Sequence, residues 1–358
     1  MSKPTILSYY LPQFHPFREN EEWWGKGFTE WTNVAKAKPL FPFHHQPNIP
    51  KDLGFYDLRL PEVREAQAKL ALEAGVTAFC YWHYWFNGKK LMERPFEEVV
   101  ESGKPDFPFC LSWANHSWYA KNWSKDGKDK LLIEQTYGGE KDYIGHFNDL
   151  IEAFKDNRYL RINGKLLFGI YDHENFVDFH HFRKVWNQLA LDHGLGGFHF
   201  FTHTFRNTEV NKLKRLGYDT ILIDYLFLRQ NILRYICLLG NKLGLIPQLI
   251  DFKDYAHTLL INYPDVEGVA PMIEPNWDHT PRSGKRGSAI ISSTPELFYN
   301  LMDNLFNKIK TYKNQPPFYM IKSWNEWGEG NYMEPDLRYG KGYICSLRKA
   351  IDNNFNSE

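Results

Sequence analysis

The sequence lacks several features that would place it in a large class of proteins. Its 358 residues include four cysteines, and no two of them form the C-x-x-C pair typical of structural zinc sites. Lysine plus arginine balances aspartate plus glutamate at 43 each, so no excess charge would attract nucleic acid or an anionic membrane. We therefore expect neither a metal nor a nucleic-acid partner.

Long apolar runs and signal sequences are also missing. No apolar run reaches the roughly 20 residues that a membrane-spanning helix needs. The N-terminal MSKPTILSYYLPQF contains no signal-peptide core, so we expect a cytoplasmic protein. The most apolar stretch, residues 231–250, is interrupted by polar residues, glycine and proline. It predicts a pair of amphipathic helices and leaves peripheral contact with a membrane or partner open.

Phosphate-binding loops are absent as well. The first strand-like run ends in YYLPQFHP without a G-x-G-x-x-G sequence, and no Walker motif occurs. The segment DGKDK does not keep the D-x-D spacing that would hold a metal against a diphosphate. These absences argue against a nucleotide-binding open sheet and against an ordinary nucleotide-sugar transferase. No cofactor is expected.

Aromatic residues, in contrast, are abundant. The chain has 12 Trp, 21 Tyr and 27 Phe, which together make up 17% of its residues. Several tryptophans stand beside Asn, His, Glu and Gly, as in EEWWGKGFTEW, LSWANHSW and SWNEWGEG. A large aromatic core explains part of this content, but Trp among polar residues suits a site that stacks on sugar faces and bonds their edges. We expect an oligosaccharide or polysaccharide substrate.

Eight apolar, β-branched or aromatic runs alternate with helical patterns along the chain. Such alternation indicates a parallel sheet covered on both faces, and eight units predict a single (β/α)8 TIM barrel domain, an α/β fold, over residues 1–358. Long loops without an obvious helix are expected at 15–60 and 226–267. The predicted strands are 5–14, 77–85, 107–115, 165–172, 198–204, 219–225, 268–275 and 318–324. The predicted helices are 61–75, 94–103, 142–156, 182–194, 209–217 and 294–310.

Polar and aromatic residues follow the apolar part of each predicted strand. In a barrel of this kind the carboxyl ends of the strands meet at one rim, where active sites are built. We therefore expect a substrate cleft lined by strand-end residues. The candidates are Tyr10, Tyr84, Trp85, Trp113, Asn115, His116, His203, Asp224, Trp277, Asp278, Trp324 and Asn325, joined from the loops by Glu30, Trp31, Arg282 and Trp327.

The segment IKSWNEWGEGNYMEPD contains the candidate catalytic pair. Glu326 and Glu329 stand three residues apart, flanked by Trp324 and Trp327, just past the last predicted strand. Most glutamate pairs at this spacing lie on exposed helix faces and have no catalytic role. At a strand tip, however, two carboxylates can act as general acid and base on one glycosidic bond. A neighbouring Trp would raise the pKa of one of them. Glu334 is either a third participant or a solvated residue.

Two other groups leave alternatives open. The loop HTPRSGKRGS (279–288) is either a solvated basic loop or, through Arg282, a contact for an acidic sugar or a lipid diphosphate. His83, His203 and Asp224 remain an alternative metal site, although no H-x-H or H-E-x-x-H spacing supports it.

The longer motifs resemble a known family. YYLPQFHPFRENEEWWGKGFTEWTNVAKAKPLF, DLGFYDLR, NWDHTPR…GKRGS and WNEWGEGNYMEPD resemble the WbsX-like proteins of bacterial polysaccharide gene clusters, over nearly the whole chain. That family is related to the endo-α-1,2-mannosidases of glycoside hydrolase family 99. The relation implies a (β/α)8 barrel that cleaves α-mannosides with retention, through a 1,2-anhydro sugar.

The resemblance also implies residue roles. The first glutamate of the E-x-x-E pair, Glu326, would remove the proton of the substrate's 2-hydroxyl, and Glu329 would act as general acid/base. Tyr10, Glu30 and either Tyr84 or Trp85 would line the site. WbsX-like proteins have also been labelled glycosyltransferases, so a transferase or transglycosylase of O-antigen or capsule biosynthesis is one alternative. A non-catalytic glycan-binding barrel is another.

Overall fold

The barrel is built from parallel strands that close on themselves. The computed structural model describes residues 3–120, 130–227 and 240–355. Each barrel strand is hydrogen-bonded to the next along the chain, and the last pairs with the first, as in Ile6 opposite Tyr319. This closed parallel barrel of eight strands confirms the predicted (β/α)8 fold. The strands are β1 Ile6–Tyr10, β2 Ala78–His83, β3 Phe109–Trp113, β4 Lys165–Ile170, β5 Phe198–Thr204, β6 Thr220–Ile223, β7 Val269–Ile273 and β8 Tyr319–Ile321.

All eight strands fall inside the predicted runs. Every residue of β1, β3, β6, β7 and β8 is buried, because one face packs inside the barrel and the other lies under the helices. Both faces of such a strand must be apolar or aromatic, which explains why the strands read as continuous hydrophobic runs. A two-residue strand, Arg161–Ile162, pairs antiparallel with the start of β4.

Helices surround the barrel. Six of the described helices follow predicted helical patterns: α3 Pro61–Ala74, α4 Arg94–Ser102, α5 Glu140–Lys155, α6 Phe179–Asp192, α7 Val210–Leu216 and α10 Pro295–Lys310. α3 begins at Pro61, where proline fits the first helical turn, and ends before Gly75, whose φ of +88° is left-handed. The helices are α1 Arg18–Trp24, α2 Glu30–Lys36, α3 Pro61–Ala74, α4 Arg94–Ser102, α5 Glu140–Lys155, α6 Phe179–Asp192, α7 Val210–Leu216, α8 Phe252–Asn262, α9 Thr280–Ser283, α10 Pro295–Lys310 and α11 Gly342–Phe355.

The two long loops differ from the prediction. The expectation that 15–60 holds no helix was wrong, because α1 and α2 lie in it. Each has seven residues and buries only one or two side chains, so it leaves little periodic signal. Within 226–267 the structure adds the strand Gln248–Asp251 and α8. The Asp251 carboxylate caps the first turn of α8 by accepting from the Lys253 amide. Aspartate is a common residue at this position, so the sequence contained a signal for the start of α8 that the prediction missed.

The predicted helix pair at 231–250 lies partly outside the described residues, which omit 228–239. Its described end includes the strand Gln248–Asp251, so that part is not helical. Leu243 and Leu245 are largely exposed there. Among the described helices, none combines the length and the apolar content needed to cross a membrane.

Short strand pairs follow the ends of five barrel strands, and the pair after β8 forms part of the candidate site described below. Trp85–Phe86 pairs with Lys89–Lys90 after β2, and Trp118–Ala120 pairs with Lys130–Ile133 after β3. The strand Gln248–Asp251, after β6, pairs in parallel with Ser288–Ile291, after β7. Because these additions follow the strands' carboxyl ends, they build up the rim on which barrel active sites lie.

Candidate active site

A cavity of about 570 Å³ opens among these rim segments. This volume is within the usual range for small-molecule sites, and the wall is largely aromatic. Among the residues that the structure describes, each barrel strand or the segment after it contributes to the wall, except β6 and the described part of its following segment. Its lining includes Tyr9, Gln13, Trp24, Glu30, Trp82, Tyr84, His116, Trp118, Tyr171, His203, Trp277, His279, Arg282, Lys322, Glu326 and Glu329.

Glu326 and Glu329 are brought to one wall of this cavity by a short hairpin after β8. The strand Asn325–Glu326 pairs antiparallel with Asn331–Tyr332, and the single 3-10 turn Trp327–Glu329 joins them. Because the chain makes a 3-10 turn between them, the side chains of Glu326 and Glu329 point toward the same cavity although they are three residues apart.

Two glycines let this hairpin pack closely. A Cβ on Gly328 would lie 2.5 Å from Glu30 Oε2 and 3.0 Å from Arg282 Nη2. Gly330 has a φ of +52°, and a Cβ on it would lie 2.7 Å from Asp278 Cβ. The Asp278 amide donates to the Glu329 carbonyl at 2.6 Å, which fixes the turn against the segment after β7. Glycine is therefore required at both positions for the observed approach.

Arg282, from α9, is the centre of the acidic cluster. Its Nη1 donates to Glu329 Oε1 at 2.6 Å, its Nη2 to Glu326 Oε1 at 3.0 Å, and its Nε to Glu30 Oε2 at 3.1 Å. One guanidinium therefore joins three carboxylates, one from α2 and two from the hairpin. The planar fork of arginine can do this because its donors point in fixed, different directions. Arg282 was predicted to bind substrate; it lines the cavity and is hydrogen-bonded to both catalytic candidates, and its contact with substrate stays a prediction.

Two further side chains distinguish the two glutamates. Gln13 Nε2 lies 2.7 Å and 2.8 Å from the two carboxylate oxygens of Glu326. His279 Nε2 lies 3.5 Å from Glu329 Oε1. Burial raises the pKa of Glu326 well above its usual range, and the charges of Glu329 and Glu30 raise it further against Arg282 and Gln13. Burial also raises the pKa of Glu329, but Arg282 and His279 outweigh it and the net pKa is low.

The pair therefore divides its protons. These shifts favour the protonated form of Glu326 and the ionised form of Glu329 beside Arg282 at neutral pH. Two carboxyl groups with pKa values pushed apart are the usual basis of acid and base roles in one site. A neighbouring tryptophan was expected to raise the pKa of one of these carboxyls. Trp324 and Trp327 are both buried, and neither is part of the cavity lining.

Glu334 is neither solvated nor in the cavity lining. Its carboxylate is buried behind the hairpin, where it accepts from Trp327 Nε1 at 2.7 Å, Gln67 Nε2 at 2.6 Å and Tyr56 Oη at 2.9 Å. Burial raises its pKa to about 7. This residue fixes Trp327, and through it the turn that carries Glu329.

A second ionic group borders the cavity. Lys322 Nζ lies 3.0 Å from Asp224 Oδ2 and 3.9 Å from Glu274 Oε1, and it stands 4.9 Å from the centre of the Trp277 ring. The Lys322 side chain lines the cavity, whereas Asp224 and Glu274 lie beneath it. Lys322, Gln13 and Tyr9 were not among the predicted site residues. Tyr9 and Gln13 could have been predicted, because alternate side chains of an extended chain face the same side. Tyr9, Leu11 and Gln13 all line the cavity.

The structure brings some predicted substrate-binding residues into the lining and leaves others outside it. Tyr10 points away from the cavity and donates to Gln67 Oε1 at 2.7 Å. Asn325 holds the first strand through both Leu11 backbone groups, and Trp85 donates to Asp142 Oδ1 at 2.8 Å. Those in the lining are Glu30, Tyr84, His116, His203, Trp277 and Arg282. Those outside it are Tyr10, Trp31, Trp85, Trp113, Asn115, Asp224, Asp278, Trp324, Asn325 and Trp327.

The alternative metal site is not assembled. His83 Nε2 contacts His146 Nε2 at 2.8 Å, His203 stacks on Tyr171, and Asp224 pairs with Lys322. Within residues 3–120, 130–227 and 240–355, no group of three His, Cys, Asp or Glu side chains has an arrangement that could hold a metal ion.

Sequence comparison assigns the family. The family model described as glycosyltransferase WbsX matches residues 6–347. The chain belongs to the WbsX family. This confirms the resemblance seen in the motifs. Two relatives from strains of Xanthomonas campestris pv. campestris, both described as uncharacterized protein WxcX, are 32% identical over 355 residues. That alignment covers 97% of this chain and 49% of each relative, so the chain spans about half the length of the curated relatives it matches.

Solved structures share the fold of this WbsX chain. The GH99 endo-alpha-mannosidase from Bacteroides thetaiotaomicron aligns with a TM-score of 0.57 at 13% identity, over 98% of this chain and 97% of the mannosidase. A glycoside hydrolase-like protein aligns with a TM-score of 0.60 at 13% identity, over 98% and 94%. Likeness at this level of identity shows the barrel fold.

Proposed function

We propose that this WbsX-family barrel is a retaining glycoside hydrolase-type enzyme that acts on α-mannoside-like linkages of a bacterial polysaccharide or lipid-linked oligosaccharide. The observation that supports this most strongly is the pairing of Glu326 and Glu329 on one guanidinium, at the wall of an aromatic-lined cavity. Two carboxylates beside one scissile bond are the machinery that glycoside hydrolysis needs. The likeness in fold to a GH99 mannosidase adds to this support.

The aromatic wall suits a sugar chain. Tyr84 and Trp118 meet edge to face at 5.0 Å, and Tyr171 packs against both Trp82 and His203. Rigid rings of this kind offer flat apolar surfaces to the C–H faces of pyranose rings. Polar groups between the rings bond the hydroxyls, so recognition needs no charge on the sugar.

The proposed reaction uses the substrate's own 2-hydroxyl. That oxygen attacks C1 while Glu326 takes its proton, and the C1–O bond to the leaving group breaks as Glu329 protonates the leaving oxygen. Water then attacks C1 of the 1,2-anhydro sugar, and Glu329 takes the water's proton. The C1–O2 bond breaks, and Glu326 returns the proton to O2. Two displacements at C1 give retention of configuration.

The free site has the reverse distribution of protons, with the proton on Glu326 and the charge on Glu329. The proposed roles therefore require the bound sugar to draw Arg282 away from Glu329. Without the guanidinium, the pKa of Glu329 rises because its burial is no longer compensated. The two carboxyls then exchange the proton, which leaves Glu326 ionised as base and Glu329 protonated as acid.

Leaving-group dependence tests these roles directly. A dinitrophenyl α-mannoside has a leaving group that departs without protonation, whereas an alkyl α-mannoside needs an acid. Glu329→Gln should retain turnover of the dinitrophenyl substrate and lose that of the alkyl substrate, and Glu326→Gln should lose both. If Glu326→Gln kept turnover of the dinitrophenyl substrate and Glu329→Gln lost both, Glu326 would be the acid and Glu329 the base, and both would remain the proposed catalytic pair.

The general test is the release of reducing ends from polysaccharide. Purified protein is incubated with α-mannans and bacterial O-polysaccharides without any nucleotide sugar, and Glu329→Gln is the control. New ends that form only with the wild type support hydrolysis, and NMR of the first product gives the anomeric configuration. Binding without turnover, with affinity unchanged in Glu329→Gln, would instead indicate a non-catalytic glycan-binding barrel.

A transferase is the second candidate, because the family is described as a glycosyltransferase. A transglycosylase could use the same glutamates, with an acceptor hydroxyl in place of water. A nucleotide-sugar donor fits the lining poorly. Among the described lining residues, the permanent cations are Arg282 and Lys322, and carboxylates neutralise both. Release of nucleoside diphosphate from supplied donors, with no release of reducing ends, would overturn the hydrolase proposal.

A further inference from the structure

A second, shallower groove of about 150 Å³ lies beside the catalytic cavity. Trp277 lines both depressions. The groove is formed by the loop before residue 49, by residues 276–278 and 290–294 after β7, and by residues of the catalytic hairpin and the segment that follows it. Its surface includes Phe41, Phe43, Asn48, Trp277, Arg338 and Tyr339.

Phe43 is the unusual residue of this groove. Its φ is +63°, in the left-handed region that non-glycine residues rarely adopt. Its side chain is fully exposed, at 103% of the reference area. The backbone conformation is unfavourable for a non-glycine residue, and an exposed phenyl ring gains nothing from burial. Two unfavourable features at one residue are characteristic of a side chain presented to a ligand.

The turn that carries Phe43 is held firmly. The rings of Phe41 and His44 stack at 4.1 Å with an interplanar angle of 5°. His44 Nδ1 accepts from the Leu40 amide at 3.0 Å, so the other ring nitrogen, Nε2, donates to Asp278 Oδ2 at 2.7 Å. Gln46 Nε2 donates to the same oxygen at 2.5 Å. The exposure of Phe43 is therefore a property of an anchored turn.

Asp278, which holds this turn, also contacts the hairpin that carries the two glutamates. Asp278, which receives His44 and Gln46, donates its backbone amide to the Glu329 carbonyl at 2.6 Å. The next residue toward β7, Trp277, packs its ring near Lys322 Nζ in the cavity. The groove and the catalytic carboxylates are thus parts of one connected framework.

We propose that this groove binds a further sugar unit of the same glycan chain, and that it extends the catalytic cavity past Trp277. This rests on the proposed function for the identity of the chain. Phe43 and Phe41 offer ring faces to a pyranose. Asn48 and the guanidinium of Arg338, which lies 4.7 Å above the Tyr339 ring, offer donors to its hydroxyls.

A length series of ligands tests the proposal. Calorimetric titration of the full chain carrying Glu329→Gln, with α-mannooligosaccharides from the disaccharide to the octasaccharide, measures binding without turnover. Affinity should rise by about threefold to tenfold once a chain is long enough to reach the groove. Adding Phe43→Ala should abolish that gain and leave the affinity for short chains unchanged. Val177→Ala, at a similarly exposed site on another loop, is the matched control and should change nothing.

Each outcome decides the proposal. A gain with chain length that Phe43→Ala removes supports it, even if the wild type releases no reducing ends and the hydrolase proposal fails. A gain that survives Phe43→Ala, or affinity independent of length, overturns the groove while leaving hydrolysis intact. No binding by any member of the series overturns it for α-mannan chains. Because Phe43 is fully exposed, the variant should fold, and an unchanged melting temperature verifies this.

Discussion

Arg282 and Glu329 form the shortest contact in the acidic cluster, with Nη1 2.6 Å from Oε1. In the free site Glu329 is therefore held in an ion pair, and Glu326 shares the same guanidinium at 3.0 Å while burial favours its protonated form. Arg282 orients both carboxyl groups and lowers the pKa of each, so in the proposed reaction it would be a positioning residue. It also compensates charge in a place where three carboxylates would otherwise repel one another.

Replacement of Arg282 by methionine should lower kcat/KM on the order of a hundredfold, because both carboxyls become protonated and lose their alignment. The sign of the pH effect follows from the low pKa of Glu329. Removing the cation raises that pKa, so the ionised form is lost at a higher pH and the acid limb of the pH–rate profile moves toward neutral pH. Initial rates across a pH series give both quantities.

Two variants complete this experiment. Arg282→Lys keeps the charge but not the fork, so it should recover the acid limb more fully than it recovers kcat. Lys285→Met, in the same loop but outside the cavity lining, should behave as wild type. An acid limb that stays in place in Arg282→Met would show that Arg282 does not control the Glu329 carboxyl.

The glycines of the hairpin predict two different losses. In Gly328→Ala the new Cβ would meet the ends of the Glu30 and Arg282 side chains, so their pairing should break. Activity should fall about tenfold or more with little change in melting temperature. In Gly330→Ala the new Cβ would meet Asp278 backbone atoms at a φ of +52°. Stability should fall there by about 1–2 kcal/mol, together with activity.

Calorimetry and initial rates on both variants separate these effects. The comparison is matched, because both changes add one methyl group within three residues of the same turn. Equal loss of melting temperature in the two variants would contradict the distinction between a side-chain and a backbone collision.

Much of this arrangement could be predicted from the sequence. All eight strands were found because strands buried on both faces leave continuous apolar runs. The position of Glu326 and Glu329 at the rim was predicted because their segment follows the last strand, and both line the cavity. Side-chain direction was harder, since Tyr9 and Tyr10 are adjacent and alike, and only the strand register turns Tyr9 into the cavity and Tyr10 toward α3.

Long-range partners could not be predicted. Arg282 and Glu30 are hydrogen-bonded although they are 252 positions apart in sequence, and Gln13 and Glu326 are hydrogen-bonded at a separation of 313 positions. No local pattern encodes such distances, because they depend on closure of the barrel. For the same reason Trp85, Trp113 and Trp324, which have polar neighbours in sequence, proved to be wall supports whose rings lie behind the cavity.

Gln13 should control the alkaline limb of the pH–rate profile. Its amide donates toward both oxygens of Glu326 and so favours the ionised form, which lowers the pKa of that carboxyl against the effect of burial. Gln13→Met removes the donor, so the pKa of Glu326 should rise further. The alkaline limb, which belongs to the coupled pair, should then move to higher pH. An unchanged or lowered alkaline limb would contradict this role.

Lys322 and Asp224 predict a pH-dependent stability. Burial raises the pKa of Asp224, but Lys322 outweighs it and the net pKa is lowered. A carboxyl with a lowered folded-state pKa stabilises the protein above its unfolded pKa and loses that contribution as the pH falls through the folded value. Lys322→Met should therefore cost about 3 kcal/mol at neutral pH, because an unpaired charge would be left buried. The cost should shrink in acid, where Asp224 is protonated.

Urea unfolding of wild type and Lys322→Met at neutral and acid pH measures this difference. The double variant Lys322→Met with Asp224→Asn is the matched control, since it removes both charges and should recover most of the lost stability. Glu274 lies 3.9 Å from Lys322, but burial raises its pKa and favours its neutral form, so we do not expect it to replace Asp224. A cost that is equal at both pH values, or that persists in the double variant, would show that Lys322 contributes by packing on Trp277 and not by its charge.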